Sequence, residues 1–159
     1  MSKVILSVDQ GTKISGYAIF QDNQLIASGI LKGDDKKDTW MRMYDMAQQI
    51  SDLIDKYKPD TLVLEEPFAK VNLHVFEVLC ELFGILGYVA YTKDIELATY
   101  SAAVWRAEIE LKGKQRAEQK AKAIELVKII FGKECSEDES EAILIGYSHL
   151  HRTKGEENE

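Results

Sequence analysis

Asp9 closes an apolar run, Val4-Ile5-Leu6-Ser7-Val8, and Glu65 and Glu66 close a second one near the middle of the chain. Asp138 and Glu141 stand three residues apart near the start of a helical pattern, so they share one helix face. Carboxylates at the ends of adjacent central strands project to the same sheet edge, and a helix packed there adds two more. Four converging carboxylates repel one another unless cations neutralise them, and hard oxygen ligands suit Mg²⁺. Each acid also has a plainer use. Asp9 alone is a turn former. Asp138 and Glu141 favour a helix N-terminus. Strand side chains alternate, so only one of Glu65 and Glu66 points to the shared site, and spacing leaves open which.

Positioning these acids requires strands that end beside one another. Residues 3–9 read as a strand buried on both faces. Residues 14–20 and 25–31 are β-rich, and Asp22-Asn23 between them suits a tight hairpin, so three strands form an antiparallel meander. Trp40, Met43, Ala47, Ile50, Ile54 and Tyr57 recur at helical spacing and stop before Pro59. Residues 61–66 form a short strand ended by Pro67, and 94–98 a further one. Residues 73–90 are apolar nearly all round, with Gly84 and Gly87 allowing close approach. That helix is either central to the monomer or packed between the sheet and a second subunit. A basic amphipathic helix over 116–131 turns Ala123, Leu126, Val127 and Ile130 inward, and 137–150 is the last helix. The order predicts a mixed α/β layer fold, a single domain over 1–154, and a flexible acidic tail at 155–159.

The 159 residues fit one domain with a real core, which excludes disordered, collagenous and disulfide-scaffold classes. No apolar run approaches the roughly 20 residues of a membrane span, so no membrane partner is expected. Cys80 and Cys135 read as buried or partly buried free thiols. The net charge of −7 argues against a nucleic-acid partner only as an average, because residues 112–133 alone carry +5. That run is either a solvated helix face or a phosphate-binding stretch.

Residues 7–18, Ser-Val-Asp-Gln-Gly-Thr-Lys-Ile-Ser-Gly-Tyr-Ala, resemble the first strand and hairpin of the RuvC family of Holliday junction resolvases. Leu64-Glu65-Glu66-Pro67-Phe68 with Asn72 resembles that family's Ile-Glu-x-x-Phe segment and downstream Asn. Asp138-Glu139-Ser140-Glu141-Ala142 resembles its Asp-x-x-Asp-Ala pair, with His149 where many members have a His. Gly113, Ala117 and Lys120 fall where the family has a Gly-rich, Lys-bearing stretch entering a helix. The resemblance runs in order along essentially the whole chain. The chain departs from the pattern at Gln10, where Pro is usual, at Glu141 in place of Asp, and at Lys70, two residues early for a basic loop residue.

The resemblance implies the ribonuclease H-like fold, a mixed five-stranded sheet with helices on both faces. It implies Asp9, Glu65, Asp138 and Glu141 as catalytic acids and metal ligands, and it selects Glu65 over Glu66. Two Mg²⁺ ions per site, with Mn²⁺ able to substitute, would hydrolyse a phosphodiester to a 5′-phosphate and a 3′-hydroxyl, the ions about 3.5–4 Å apart. It implies Phe68, Lys114, Arg116, Lys120 and Lys122 as DNA-binding residues; Phe68 read alone serves equally as an apolar anchor. The partners implied are four-way and other branched DNA and a second copy of the chain, docked through the helix over 73–90. Compactness and divergence suggest a bacteriophage-encoded member working in the bacterial cytoplasm. Three other readings stand beside this one. They are a nuclease of the same fold acting on RNA or hybrids, a non-catalytic branched-DNA-binding module, and a sugar-kinase phosphate loop, for which the chain is too short.

Overall fold

The computed structural model describes residues 2–69, 72–113 and 115–159. Lys70 and the expected DNA contact Lys114 lie outside the described residues. Three strands form the meander: β1 (Val4–Asp9), β2 (Ile14–Gln21) and β3 (Gln24–Lys32). Asp22 and Asn23 both take positive φ, 50° and 69°, the conformation that lets a two-residue turn follow the strand twist. Helix α1 (Thr39–Tyr57) follows, capped by the Asp38 side chain on the Met41 N–H. It ends on Lys58 in the left-handed region, just before Pro59.

The chain continues through β4 (Thr61–Glu65), α2 (Leu73–Thr92), β5 (Glu96–Tyr100), α3 (Ala102–Glu108), α4 (Arg116–Phe131) and α5 (Glu137–Glu157). The sheet order is β3-β2-β1-β4-β5. Strands β1 to β3 pair antiparallel, and β4 lies parallel to both β1 and β5. The mixed five-stranded α/β architecture is therefore as the sequence predicts.

Strand alternation divides the core. Leu6, Val8, Leu62 and Leu64 face α1 and α2, among Met43, Ile50, Leu82 and Leu86. Ile5, Ala18, Phe20 and Val63 face the other helices, among Trp105, Ala123, Val127, Ile143 and Leu144. Asp9 has the parity of Ile5, and Glu65 that of Val63, so both belong to the α5 side.

Helix α5 lies directly on β1 and β2. Ser7 Oγ donates to the Ala142 carbonyl at 2.7 Å in the core. A Cβ at Gly16 would stand 1.9 Å from the Asp138 carbonyl oxygen, and one at Gly146 2.5 Å from Ser7 Oγ. Glycine at these two positions sets how closely the acid-bearing helix approaches the sheet.

Several expectations shift. Strand β5 begins at Glu96 rather than 94. Helix α3 was not foreseen: seven residues are too few for a periodicity to register. Ile130 stays 39 % exposed instead of facing inward, and Cys80 is exposed rather than buried. The last helix runs to Glu157, so residues 155–157 continue it where a flexible tail was expected. Helix α2 is, by length and composition alone, apolar enough to cross a membrane. This corrects the expectation that no apolar run approaches a span: His74, Glu77 and Glu81 interrupt the run without lowering its mean hydropathy below that of a span. Only Leu82, Leu86 and Ala90 of α2 are buried, so it covers the sheet with one face and leaves the other open.

Candidate active site

The β1–β4 register ends at Val8 beside Leu64, so the next step brings Asp9 alongside Glu65 at the strand ends. Across β1, Asp9 pairs with Gly16, and Gly16 is the point where the Asp138 backbone meets the sheet. The start of α5 is thus set over Asp9. Ser136 caps that helix, and Glu137, Asp138 and Glu139 fill its first turn, where the helix dipole favours negative charge.

The four acids form one electrostatic group. Burial is the largest cause holding the Asp9 carboxyl well above its ordinary range, followed by the charges of Glu141 and Glu65, a hydrogen bond with Glu141, and the charge of Asp138. Burial also raises Glu65, against a lowering hydrogen bond from Trp105. Burial and then the Glu137 charge raise Asp138, while Lys120 lowers it.

Among the described residues, no three acidic, His or Cys side chains already enclose an ion. Two donors reach the acids. Trp105 Nε1–H donates to Glu65 Oε2 at 2.6 Å. Arg106 Nη2 stands 3.6 Å from Glu141 Oε1. The donor set nonetheless fits a hard divalent cation, being carboxylate throughout, and the buried amide oxygen of Gln10 has no hydrogen-bond partner.

The raised Asp9 value fixes a pH dependence. The folded protein keeps this proton to higher pH than the unfolded chain, whose Asp titrates near 3.8. The stability it lends is complete below that value and is lost as pH rises through the raised folded value. Thermal melts in EDTA from about pH 4 to 8 are therefore expected to show falling stability. Asp9→Asn should flatten that slope, and saturating Mg²⁺ should offset it. An identical slope in the variant would contradict the assignment.

Other expected site residues are placed as follows. Glu66 lies outside the cluster and accepts from Thr99 Oγ1 at 3.0 Å. Phe68 is 69 % exposed just beyond β4. Asn72 caps α2 through the Val75 N–H. His149 is about 12 Å along α5 from Glu141, with its Nδ1 2.7 Å from the Tyr100 hydroxyl, away from the acids. Arg116 opens α4, and its charge reaches Glu65. Lys120 is paired with Glu137 at 2.5 Å, and Lys122 with Glu118 at 3.0 Å. The basic end of α4 thus borders the acid cluster.

Trp105 and Arg106 touch the cluster but belong to no motif. The signal that marks their helix is Ser101, a side-chain cap on the Val104 N–H, which shows where α3 starts but not what it faces. Gln10, where the motif has Pro, donates Nε2 to the Glu65 carbonyl and so extends the β1–β4 clamp by one residue.

Comparison with known proteins bears on the same chain length. The protein is similar to the crossover junction endodeoxyribonuclease RuvC of Ehrlichia chaffeensis, 29 % identical over 155 residues, covering 94 % of this chain and 97 % of that one. It is similar to that of Alkaliphilus metalliredigens at 26 % identity, covering 93 % of each chain. Among solved structures, Thermus thermophilus RuvC in complex with a Holliday junction substrate superposes with a TM-score of 0.78 at 13 % identity, covering 96 % of this chain and 95 % of that one. The yeast mitochondrial Holliday junction resolvase Ydc2 gives a TM-score of 0.64 at 16 % identity, covering 92 % and 77 %. The fold is the ribonuclease H-like fold of RuvC. The family described as Lactococcus phage M3 protein matches residues 1–148, and the chain belongs to that family.

Proposed function

We propose that this protein is a RuvC-type endonuclease that resolves Holliday junctions and related branched DNA by paired nicks near the branch point. The observation that carries this reading is the convergence of Asp9, Glu65, Asp138 and Glu141 at one sheet edge, bordered by Arg116 and Lys120. Full-length similarity to RuvC enzymes supports the substrate.

Asp9, Glu65, Asp138 and Glu141 would hold two Mg²⁺ ions, with Mn²⁺ as a substitute. Bound divalent cations supply Lewis-acid charge at the scissile phosphate. Hydrolysis adds water across the P–O3′ bond, leaving a 5′-phosphate and a 3′-hydroxyl. The chain's own part is to fix the carboxylates and bring the phosphate to them. Arg116, Lys120 and Lys122, with Lys114 in the same stretch, contact the backbone phosphates. Lys120 exchanges Glu137 for phosphate as it does so. Phe68, solvent-exposed at the end of β4, stacks on a base at the opened branch.

Two cuts on opposed strands require two sites related by a two-fold axis, which a C2 dimer provides. The open face of α2 supports that assembly. Leu73, Val75, Tyr88 and Tyr91 are exposed, Tyr88 and Tyr91 stack at 6.3 Å, and Gly84 has open space where a Cβ would stand. Gly84→Arg is expected to shift sedimentation velocity from dimer to monomer, with the isolated fold intact. A monomer before substitution would contradict the interface. The protein would work in the cytoplasm of its bacterial host.

The test of function is incubation with labelled four-way, three-way and linear DNA and an RNA–DNA hybrid, with Mg²⁺ or EDTA. Mg²⁺-dependent nicks at the branch are expected. Equal cutting of the linear duplex or preference for the hybrid would overturn the reading.

A further inference from the structure

Glu65 reaches the site on a side chain with three rotatable bonds, yet it is held at both ends. The Gln10 amide fixes its backbone carbonyl at 2.5 Å. The Trp105 indole N–H fixes Oε2 at 2.6 Å. Trp105 is itself closely packed: it is completely buried in the α5-side core, and the Arg106 guanidinium lies 5.1 Å from its ring. Arg106 is in turn tied by Nη1 to Gln119 Oε1 at 2.9 Å, and Gln119 Nε2 to the Gly113 carbonyl at 2.8 Å.

We propose that Trp105 is a positioning residue for the metal site, through its hydrogen bond to Glu65. The assignment rests on the metal-holding role of the acid cluster proposed above. An indole N–H is a donor only. It cannot bind the cation or compete for it. It occupies one carboxylate oxygen, selects one rotamer of Glu65, and leaves the second oxygen for the ion. A Phe or Leu in the same core position would fill space and leave Glu65 to turn. Groups that orient a metal ligand in this way are commonly worth 10- to 100-fold in metal affinity.

The test must separate the N–H from the packing. Replacing Trp105 with benzothienylalanine, which keeps the bicyclic shape and puts sulfur for N–H, does so in the full-length protein. Mn²⁺ binding by calorimetry is expected to weaken by about 10- to 100-fold. Junction binding in EDTA should stay unchanged, and the thermal midpoint should fall only by the loss of one hydrogen bond to a buried carboxylate, with the fold intact. In a Glu65→Gln background the same replacement should cause no further loss. A smaller loss, or an equal loss in the Glu65→Gln background, overturns the proposal. A metal-free measurement gives a second reading. The chain has two tryptophans, and Trp40→Phe assigns their indole N–H resonances. The Trp105 resonance should move on Glu65→Gln, and one that stays in place overturns the proposed contact. Absence of Mn²⁺ binding by the unaltered protein would instead overturn the metal site itself, a result distinct from the others.

Discussion

Asp9→Asn is expected to lower Mg²⁺-dependent cleavage of a four-way junction by about 10³-fold or more, while leaving junction binding in EDTA intact. Asp9 is the acid on which Glu65, Asp138 and Glu141 all act, so it stands at the centre of the cluster. Asparagine keeps its shape and removes its charge. The remaining acids then hold a divalent cation less tightly and less centrally, and a lost metal contact of this kind costs several kcal/mol. About 4 kcal/mol corresponds to the stated factor. Binding should survive, because the proposed phosphate contacts lie at the basic end of α4, and one negative charge fewer at the site weakly favours DNA. Single-turnover cleavage and gel-shift titration, run side by side, check both halves. Cleavage within tenfold of the unaltered protein would contradict a central role for Asp9. Glu66→Gln is the matched control. Glu66 lies outside the cluster on Thr99, and its replacement should leave cleavage within about twofold, since surface changes of this kind rarely exceed ±0.5 kcal/mol.

The second large effect comes from a residue with no chemistry. A methyl group at Gly16 would lie 1.9 Å from the Asp138 carbonyl oxygen and 2.4 Å from its carbonyl carbon. Both are backbone atoms, so no side chain can swing aside to relieve the clash. The start of α5 must lift from β2, and Asp138 and Glu141 move with it. Overpacking of this kind costs up to about 3 kcal/mol. For a chain of this size that lowers the thermal midpoint by roughly 6–12 °C. Displacing catalytic groups by about 1 Å costs on the order of 10²-fold in rate. Gly16→Ala should therefore fold, melt early and cleave poorly even well below its midpoint. Normal cleavage with a normal melt would mean that α5 does not approach the sheet as closely as described. The two variants separate two demands on the site, since Asp9→Asn removes charge without moving α5, and Gly16→Ala moves α5 without removing charge.

Much of this arrangement is legible in the residues. The parity of Ile5, Ser7 and Asp9 along one strand, and of Val63 and Glu65 along another, groups the residues of each strand by face, and the β1–β4 register then aligns the two sets. Alternation alone does not identify the covered face, because both faces of β1 and β4 are buried and their sequences run apolar throughout. The family resemblance selects Glu65, and the structure places Glu66 on the neighbouring strand's Thr99. What the sequence does not show is what the acids touch. Trp105 meets Glu65 across 40 residues, and Arg106 meets Glu141 across the core, with no spacing rule linking either pair. Helix α3, which carries both donors, is too short to announce itself by periodicity.

The charge pattern is similarly half legible. The basic run over 112–133 stands out against a chain of net charge −7. Several of its described lysines are already paired in the fold. Lys120 is joined to Glu137, Lys122 to Glu118 and Lys128 to Glu134. Exposed pairs of this kind are weak and screened by salt, so DNA phosphate can replace the acids at little cost.

In the proposed reaction the acid cluster, paired across a dimer, resolves a four-way junction with divalent cations. A supercoiled plasmid that extrudes a cruciform tests it most directly, because the two products report whether cuts are paired. Two nicks across the junction within one encounter linearise the circle, and a single nick only relaxes it. Mg²⁺-dependent linear product is expected, with ends mapping to the cruciform, and none in EDTA or from a plasmid without the cruciform. Relaxed circles alone, or cutting that ignores the cruciform, would contradict it.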